Sequence, residues 1–217
     1  MTDNTPPNPV QKPSPRDLIM AVHRYDVNAV DRLLQSGADP DGTDREGYTP
    51  LMYASWDGSV AIAYMLIQAG ADVNKKSRYG DTALLMLTAD LYYEEPALVK
   101  MLLDKGANTN EVDRKGLTPL MYAAMNGHVD TVRQLLKHGA LPETKNKDGK
   151  TALDLAVEKD HPEIAEIVQK EIDVRAKAAA AVAAAAEAAR AQAEAARQRD
   201  LLRDKTKKVK IKPGPRS

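Results

Sequence analysis

Apolar positions recur along the chain as pairs of short helical stripes separated by polar turns. Leu18, Ala21 and Val22 share one helix face, and Val27, Val30, Leu33 and Leu34 form a second, with Tyr25-Asp26 in the turn between them. Leu51, Ala54 and Ser55, followed by Ala61, Ala63, Leu66 and Ile67, repeat that arrangement one unit later. Units open on Gly47, Gly80, Gly116 and Gly149 and close on Gly-Ala pairs at Gly37, Gly70, Gly106 and Gly139; both sets are spaced 33, 36 and 33 residues apart. Two independent markers with one period and one shared three-residue exception predict a stack of helix pairs, about five units long.

Gly116 to Ala140 is the most regular unit. Thr49, Thr82, Thr118 and Thr151 are placed to cap the first helix of their units, and Pro50 and Pro119 sit at the first helical position, where a missing N–H leaves nothing unsatisfied. The third unit has Ala83 in place of Pro, and three extra residues within Ala89 to Pro96, between its two helices. The fifth unit does not stop. Its second helix begins near Pro162, passes through Ile164, Ile167, Val168 and Ile172, and meets no closing Gly-Ala. Residues 173–200 then hold fifteen Ala, with Glu187, Arg190, Glu194 and Arg197 at pairing distance along one face. A continuous helix from Pro162 to about Lys205 would be roughly 60 Å long. It lacks a Leu or Ile heptad, so a single protruding helix and a monomer are expected rather than a coiled-coil stem. The expected organisation is a Pro-rich disordered leader (1–15), a repeat domain (16–172), an Ala-rich helix (173–204) and a basic disordered tail (205–217).

The motifs Asp44-x-x-Gly47-x-Thr49-Pro50-Leu51 and Asp113-x-x-Gly116-x-Thr118-Pro119-Leu120 resemble the ankyrin repeat. So do Ala123-Ala124, Asn126-Gly127-His128, Leu135-Leu136 and Gly139-Ala140 of the fourth unit. The resemblance covers about residues 17 to 172. It implies an all-α solenoid of helix pairs joined by short β-hairpin loops, its first and last units acting as caps, followed here by the long C-terminal helix. The family's usual His after Thr-Pro-Leu is replaced by Met52, Leu85, Met121 or Asp154. Because that His is mainly a structural hydrogen-bonding residue, its loss is expected to loosen the loops.

Composition narrows the chemistry. The chain has 217 residues, no Cys, no Phe, one Trp and eight Tyr. Without Cys there are no disulfides, thiolate zinc sites or thiol catalysis. No secretory signal or membrane-length apolar run stands out, so a soluble cytoplasmic protein is expected. His23, His128, His138 and His161 form no zinc-site spacing, and His128 and His138 read as structural. Asp39-Pro-Asp41-Gly42-Thr-Asp44 has no downstream Glu at calcium-loop spacing and reads as an acidic hairpin turn. There is no Gly-x-Ser-x-Gly and no Gly-rich phosphate loop. The expectation is a non-enzymatic interaction module, with no cofactor or metal.

In the repeat family, hairpin tips and first helices form a concave groove that binds protein partners. The resemblance carries to that groove Arg45, Tyr48, Trp56 and Asp57 from unit two, Arg78, Tyr79, Asp81 and Asp90 from unit three, and Arg114, Lys115, Leu117, Met125 and Asn126 from unit four. Trp56, Tyr48, Tyr79 and Met125 are candidates for one contact patch; equally, Trp56 packs on the neighbouring helix turn. Tyr92 and Tyr93 in the insertion are a second contact or, preferably, filler for that loop. The net charge of zero conceals +6 from Arg203 onward and −6 before it. Lys205, Lys207, Lys208, Lys210 and Lys212 are therefore a candidate site for nucleic-acid phosphates or an anionic membrane surface, ranked below protein binding. No aromatic residue alternates with them, so base stacking is not supported.

Overall fold

The structure is a computed structural model describing residues 12–90 and 94–209, without the side chains of residues 203–209. Among the described residues there are ten helices and no strand. They pair as α1 (Pro15–His23) with α2 (Val27–Gln35), α3 (Pro50–Trp56) with α4 (Val60–Gln68), and α5 (Ala83–Ala89) with α6 (Pro96–Asp104). α7 (Pro119–Asn126) pairs with α8 (Val129–Lys137), and α9 (Ala152–Glu158) precedes α10 (Pro162–Val209). First helices stack on first helices and, through α8, second helices on second helices, giving the two layers of an all-α repeat solenoid. The chain divides into one compact unit up to Glu171 and another from Ile172.

The core repeats with the sequence. Leu66, Leu102 and Leu135 are each completely buried at equivalent points of α4, α6 and α8, and each contributes about 1.5–3 kcal/mol by leaving water. Ala54, Ala123 and Ala156 are also completely buried, small enough to let successive first helices approach. Thr49, Thr82, Thr118 and Thr151 all accept from the backbone N–H three residues on, as their spacing predicts.

The first helix begins earlier than its apolar pattern suggests. Ser14 caps it, Pro15 takes the first helical position, and Asp17 closes the box by accepting from the Ser14 N–H at 3.0 Å. Ser14-Pro15 thus does for unit one what Thr-Pro does elsewhere. Residues 1–11 of the expected leader lie outside the described residues.

In each hairpin loop a backbone N–H donates to the carbonyl four residues on: Asp44 to Tyr48, Ser77 to Asp81, Asp113 to Leu117 and Asn146 to Lys150. Adjacent tips are joined by Arg78 N–H to Glu46 C=O and Lys147 N–H to Lys115 C=O. Gly47 and Gly116 are required at these joints: their φ values are +85° and +76°, and a Cβ would lie 3.1 Å from the neighbouring Arg78 or Lys147 nitrogen.

Hydrogen bonds from other residues tie the loops of units two and four, where the family's His is missing. Met52 and Met121 are buried, and Tyr53 and Tyr122, one residue further along, donate their hydroxyls to Asp44 Oδ2 at 2.5 Å and Asp113 Oδ2 at 2.8 Å. The other oxygens of those carboxylates accept two backbone N–H groups each: Glu46 and Tyr48, or Lys115 and Leu117. Each carboxylate therefore ties its hairpin to its helix. A second ladder links the outer turns, where Asn74 Oδ1 accepts from Asn108 N–H at 2.8 Å and Asn110 Oδ1 from Leu141 N–H at 2.9 Å.

In α10, Ile164 and Val168 are buried, whereas every residue from Ala176 to Leu202 is exposed. That stretch is held by local helix propensity rather than packing. No helix among the described residues is long and apolar enough to cross a membrane.

Candidate functional site

The candidate residues separate towards the two ends of the short first helices. At the N-terminal end of α3, Tyr48 lies 6.0 Å from Tyr79 and 5.7 Å from Tyr53, measured between ring centres, and Tyr53 lies 4.2 Å from His23. The Arg114 guanidinium stands 4.0 Å over the Tyr79 ring, a cation–π pair, and also donates to the Arg78 carbonyl at 3.3 Å. Tyr48 donates its hydroxyl to Asp81 Oδ2 at 2.8 Å, and that oxygen also accepts from Ser77 Oγ. Burial, followed by the hydrogen bond to Asp81, pushes the Tyr48 hydroxyl up to about 12. Tyr53 and Tyr122 are raised in the same way, by burial first and then by Asp44 and Asp113. Arg45, Arg78, Arg114 and Lys115 are exposed around this cluster.

Several candidates are used inside the stack. Leu117 is only 7% exposed. The Asp81 carboxylate is held by Tyr48 and Ser77. Asn126 donates from Nδ2 to the Thr88 and Asp90 carbonyls at 3.1 and 2.8 Å, fastening unit four to the start of the insertion. Met125 presents its carbonyl to His161 Nε2 at 3.1 Å.

At the C-terminal end of α3 the situation is reversed. Trp56 is 50% exposed and lines a cleft of about 370 Å³ with Tyr25, Ser55, Asp57, Gly58, Leu87, Asp90 and Glu95. Tyr48 and Trp56 therefore belong to different sites, one preceding α3 and the other ending it. Equivalent or neighbouring positions in adjacent units suggest one patch for Trp56, Tyr48 and Tyr79, but the length of α3 lies between Tyr48 and Trp56. Tyr25 enters the cleft from the turn of unit one, where its φ of +54° occupies the position held by Gly58 and Gly127 in later units. Its hydroxyl is raised by burial and then by the charge of Asp57 and a hydrogen bond to it. Ser55 is completely buried, and its Oγ has no hydrogen-bond partner among the described residues.

Tyr25, Ser55 and Glu95 were missed. Their signal is weak: Tyr25 is a non-Gly residue at a Gly turn position, and Glu95 reaches the cleft only because of the insertion. The same insertion places Glu94 Oε1 2.6 Å from the Thr131 N–H, capping α8, whose N-cap His128 makes no side-chain cap. His128 is buried, which lowers its pKa despite the opposing pull of Glu94 and Asp90. Tyr92 and Tyr93 lie outside the described residues, as do Lys210 and Lys212; the side chains of Lys205, Lys207 and Lys208 are not described.

The family model described as ankyrin repeats (3 copies) matches residues 14–77 and 85–178. The chain is 34% identical over 137 residues to "Putative palmitoyltransferase ZDHHC13" of Danio rerio, covering 63% of this chain and 21% of that protein. It is 36% identical over 117 residues to "Ankyrin repeat, SAM and basic leucine zipper domain-containing protein 1" of Dasypus novemcinctus, covering 53% and 24%. Against the protein of that name from Atelerix albiventris, identity is 38% over 109 residues, covering 49% and 23%. The chain thus spans between a fifth and a quarter of the length of these relatives.

Proposed function

This chain belongs to the ankyrin repeat family, and from that premise we propose that it is a non-enzymatic module that captures a protein partner on the face formed by its hairpin tips and first helices. Ankyrin repeats are generally protein–protein interaction modules. The observation that supports the proposal is that Trp56 is half exposed and Arg114 is stacked on Tyr79, with Arg45 and Arg78 also exposed. Trp, Tyr and Arg are the side chains that anchor interfaces, since they bring large contact area together with directional polar groups. Tyr48 packs against Tyr79, and Asp81 holds Tyr48. Leu117 and Asn126 contribute by keeping the face in register.

Photo-crosslinking tests the proposal. A photoreactive phenylalanine placed at Tyr79 or Trp56 is expected to trap a discrete protein partner in cells, whereas the same group at Lys100, exposed on the outer helix α6, traps none. Equal trapping from both faces, or trapping from Lys100 alone, contradicts it.

A further inference from the structure

The cleft at the end of α3 combines two features. One is a concentration of acidic residues beside aromatic ones: Asp57, Asp90 and Glu95 line it along with Trp56 and Tyr25, and among the described residues no Lys or Arg does. The other is Ser55, whose Oγ is completely buried without a hydrogen-bond partner although its residue lines the same cleft. A buried hydroxyl without a partner is destabilising, and native proteins retain few of them. The carboxylates call for a cation and the hydroxyl oxygen for a donor. Two aromatic side chains suit a group that is flat or weakly hydrated.

Resting on the groove reading above, we propose that this cleft receives the side chain of an arginine presented by the partner polypeptide. Guanidinium is planar, stacks on aromatic faces and carries five N–H donors in a fixed fork, so one group can serve several acceptors at once. At about 370 Å³ the cleft falls at the small end of ligand pockets, a size suited to one long side chain rather than a cofactor. The surrounding charge has the right sign, because the chain before Arg203 carries a net −6. Position also matters. The cleft joins the first three units, with Tyr25 from the turn of unit one, Ser55 to Gly58 from unit two, and Leu87, Asp90 and Glu95 from unit three. A side chain seated there would touch all three, so its recognition depends on their stacking. Tyr25 completes the wall from a backbone conformation that a bulky residue rarely adopts.

The protein carries its own reporter, since Trp56 is its only tryptophan. Intrinsic fluorescence of the full chain is titrated with the blocked peptide acetyl-Gly-Arg-Gly-Arg-Gly-amide and with counterparts containing citrulline or lysine. A saturable change with the arginine peptide is expected, with no response to citrulline, a weaker affinity for lysine and a loss of affinity on adding salt. Asp57→Asn combined with Glu95→Gln should weaken binding roughly tenfold or more, the scale of losing a charge-assisted hydrogen bond. Ser55→Ala should weaken it several-fold with the circular dichroism spectrum unchanged, which separates loss of the site from loss of the fold. Equal responses to arginine and citrulline, equal affinity for lysine, or indifference to the carboxylate and Ser55 substitutions would each overturn the assignment. So would tighter peptide binding after truncation at Leu202, because the occupant would then be the chain's own basic C-terminus. Groove crosslinks without an arginine-dependent signal would sink this inference and leave the groove reading standing; the signal without crosslinks would do the reverse.

Discussion

Helix α3 is seven residues long, and its two ends differ in how their polar groups are satisfied. At its start, polar groups meet within the stack: Asp44 accepts from two amides and from Tyr53, and Tyr48 is held by Asp81. At its close, Trp56 is half exposed, Ser55 Oγ has no partner, and three acids line a cleft. On the proposed reading, local satisfaction separates scaffold from binding surface. Where hydrogen bonds close internally, a substitution should be read as lost stability; at Ser55, whose Oγ has no partner among the described residues, the proposed arginine site predicts lost recognition instead. That distinction cuts across a list of groove residues drawn from repeat alignment, because Asp81, Leu117 and Asn126 fall on the scaffold side.

The largest effect should come from breaking a closed network. Asp113→Ala removes the acceptor for Lys115 N–H, Leu117 N–H and the Tyr122 hydroxyl; chemical denaturation should show a loss of about 2–4 kcal/mol, since partly buried donors are left unsatisfied. A loss below 1 kcal/mol would mean the hairpin ladder is not structural. Alkali provides the next test. The folded state holds the Tyr48 phenol protonated up to about pH 12, above its ordinary value of 10. Its contribution is therefore complete below pH 10 and is lost as pH rises from 10 through 12. Tyr53 and Tyr122 are raised in the same direction, so absorbance at 295 nm should show these phenols ionising with unfolding rather than before it. Ionisation at ordinary tyrosine pH in the folded protein would contradict the burial described. Tyr122→Phe isolates one bond and should cost about 1 kcal/mol. The smallest effect is expected from cutting the chain after Leu202: the melting temperature of the repeats should not move, because the compact repeat unit ends at Glu171.

Much of the scaffold is readable along the chain, since its signals are local. Thr-Pro caps, Gly-Ala closures and the 33-residue period depend on backbone rules that hold within a few residues. Unit one partly escaped because Ser14-Pro15 sits at the end of a Pro-rich stretch whose composition reads as a leader. The replacement of the family's His by Tyr53 and Tyr122 escaped because the new donor stands one position further along and reaches an acid nine residues back. The outer ladder of Asn74 and Asn110 shares the 36-residue spacing of the flanking glycines and could have been found by extending the repeat comparison to polar positions. The cleft is the least readable feature. Its walls come from three units, and Tyr25, Trp56 and Glu95 meet only because a non-Gly turn and an insertion move them together.

The contrast between the two ends of α3 can be decided in one paired measurement. Thermal or urea unfolding and arginine-peptide affinity are determined side by side for Tyr53→Phe and Ser55→Ala. Tyr53→Phe should lose about 1 kcal/mol of stability and bind the peptide as the parent does. Ser55→Ala should unfold no earlier than the parent, since the hydroxyl it removes has no partner in the fold, and should bind the peptide several-fold more weakly. The opposite pairing, with Ser55→Ala destabilised and binding normally while Tyr53→Phe keeps its stability and loses the peptide, would contradict the division between scaffold and binding surface.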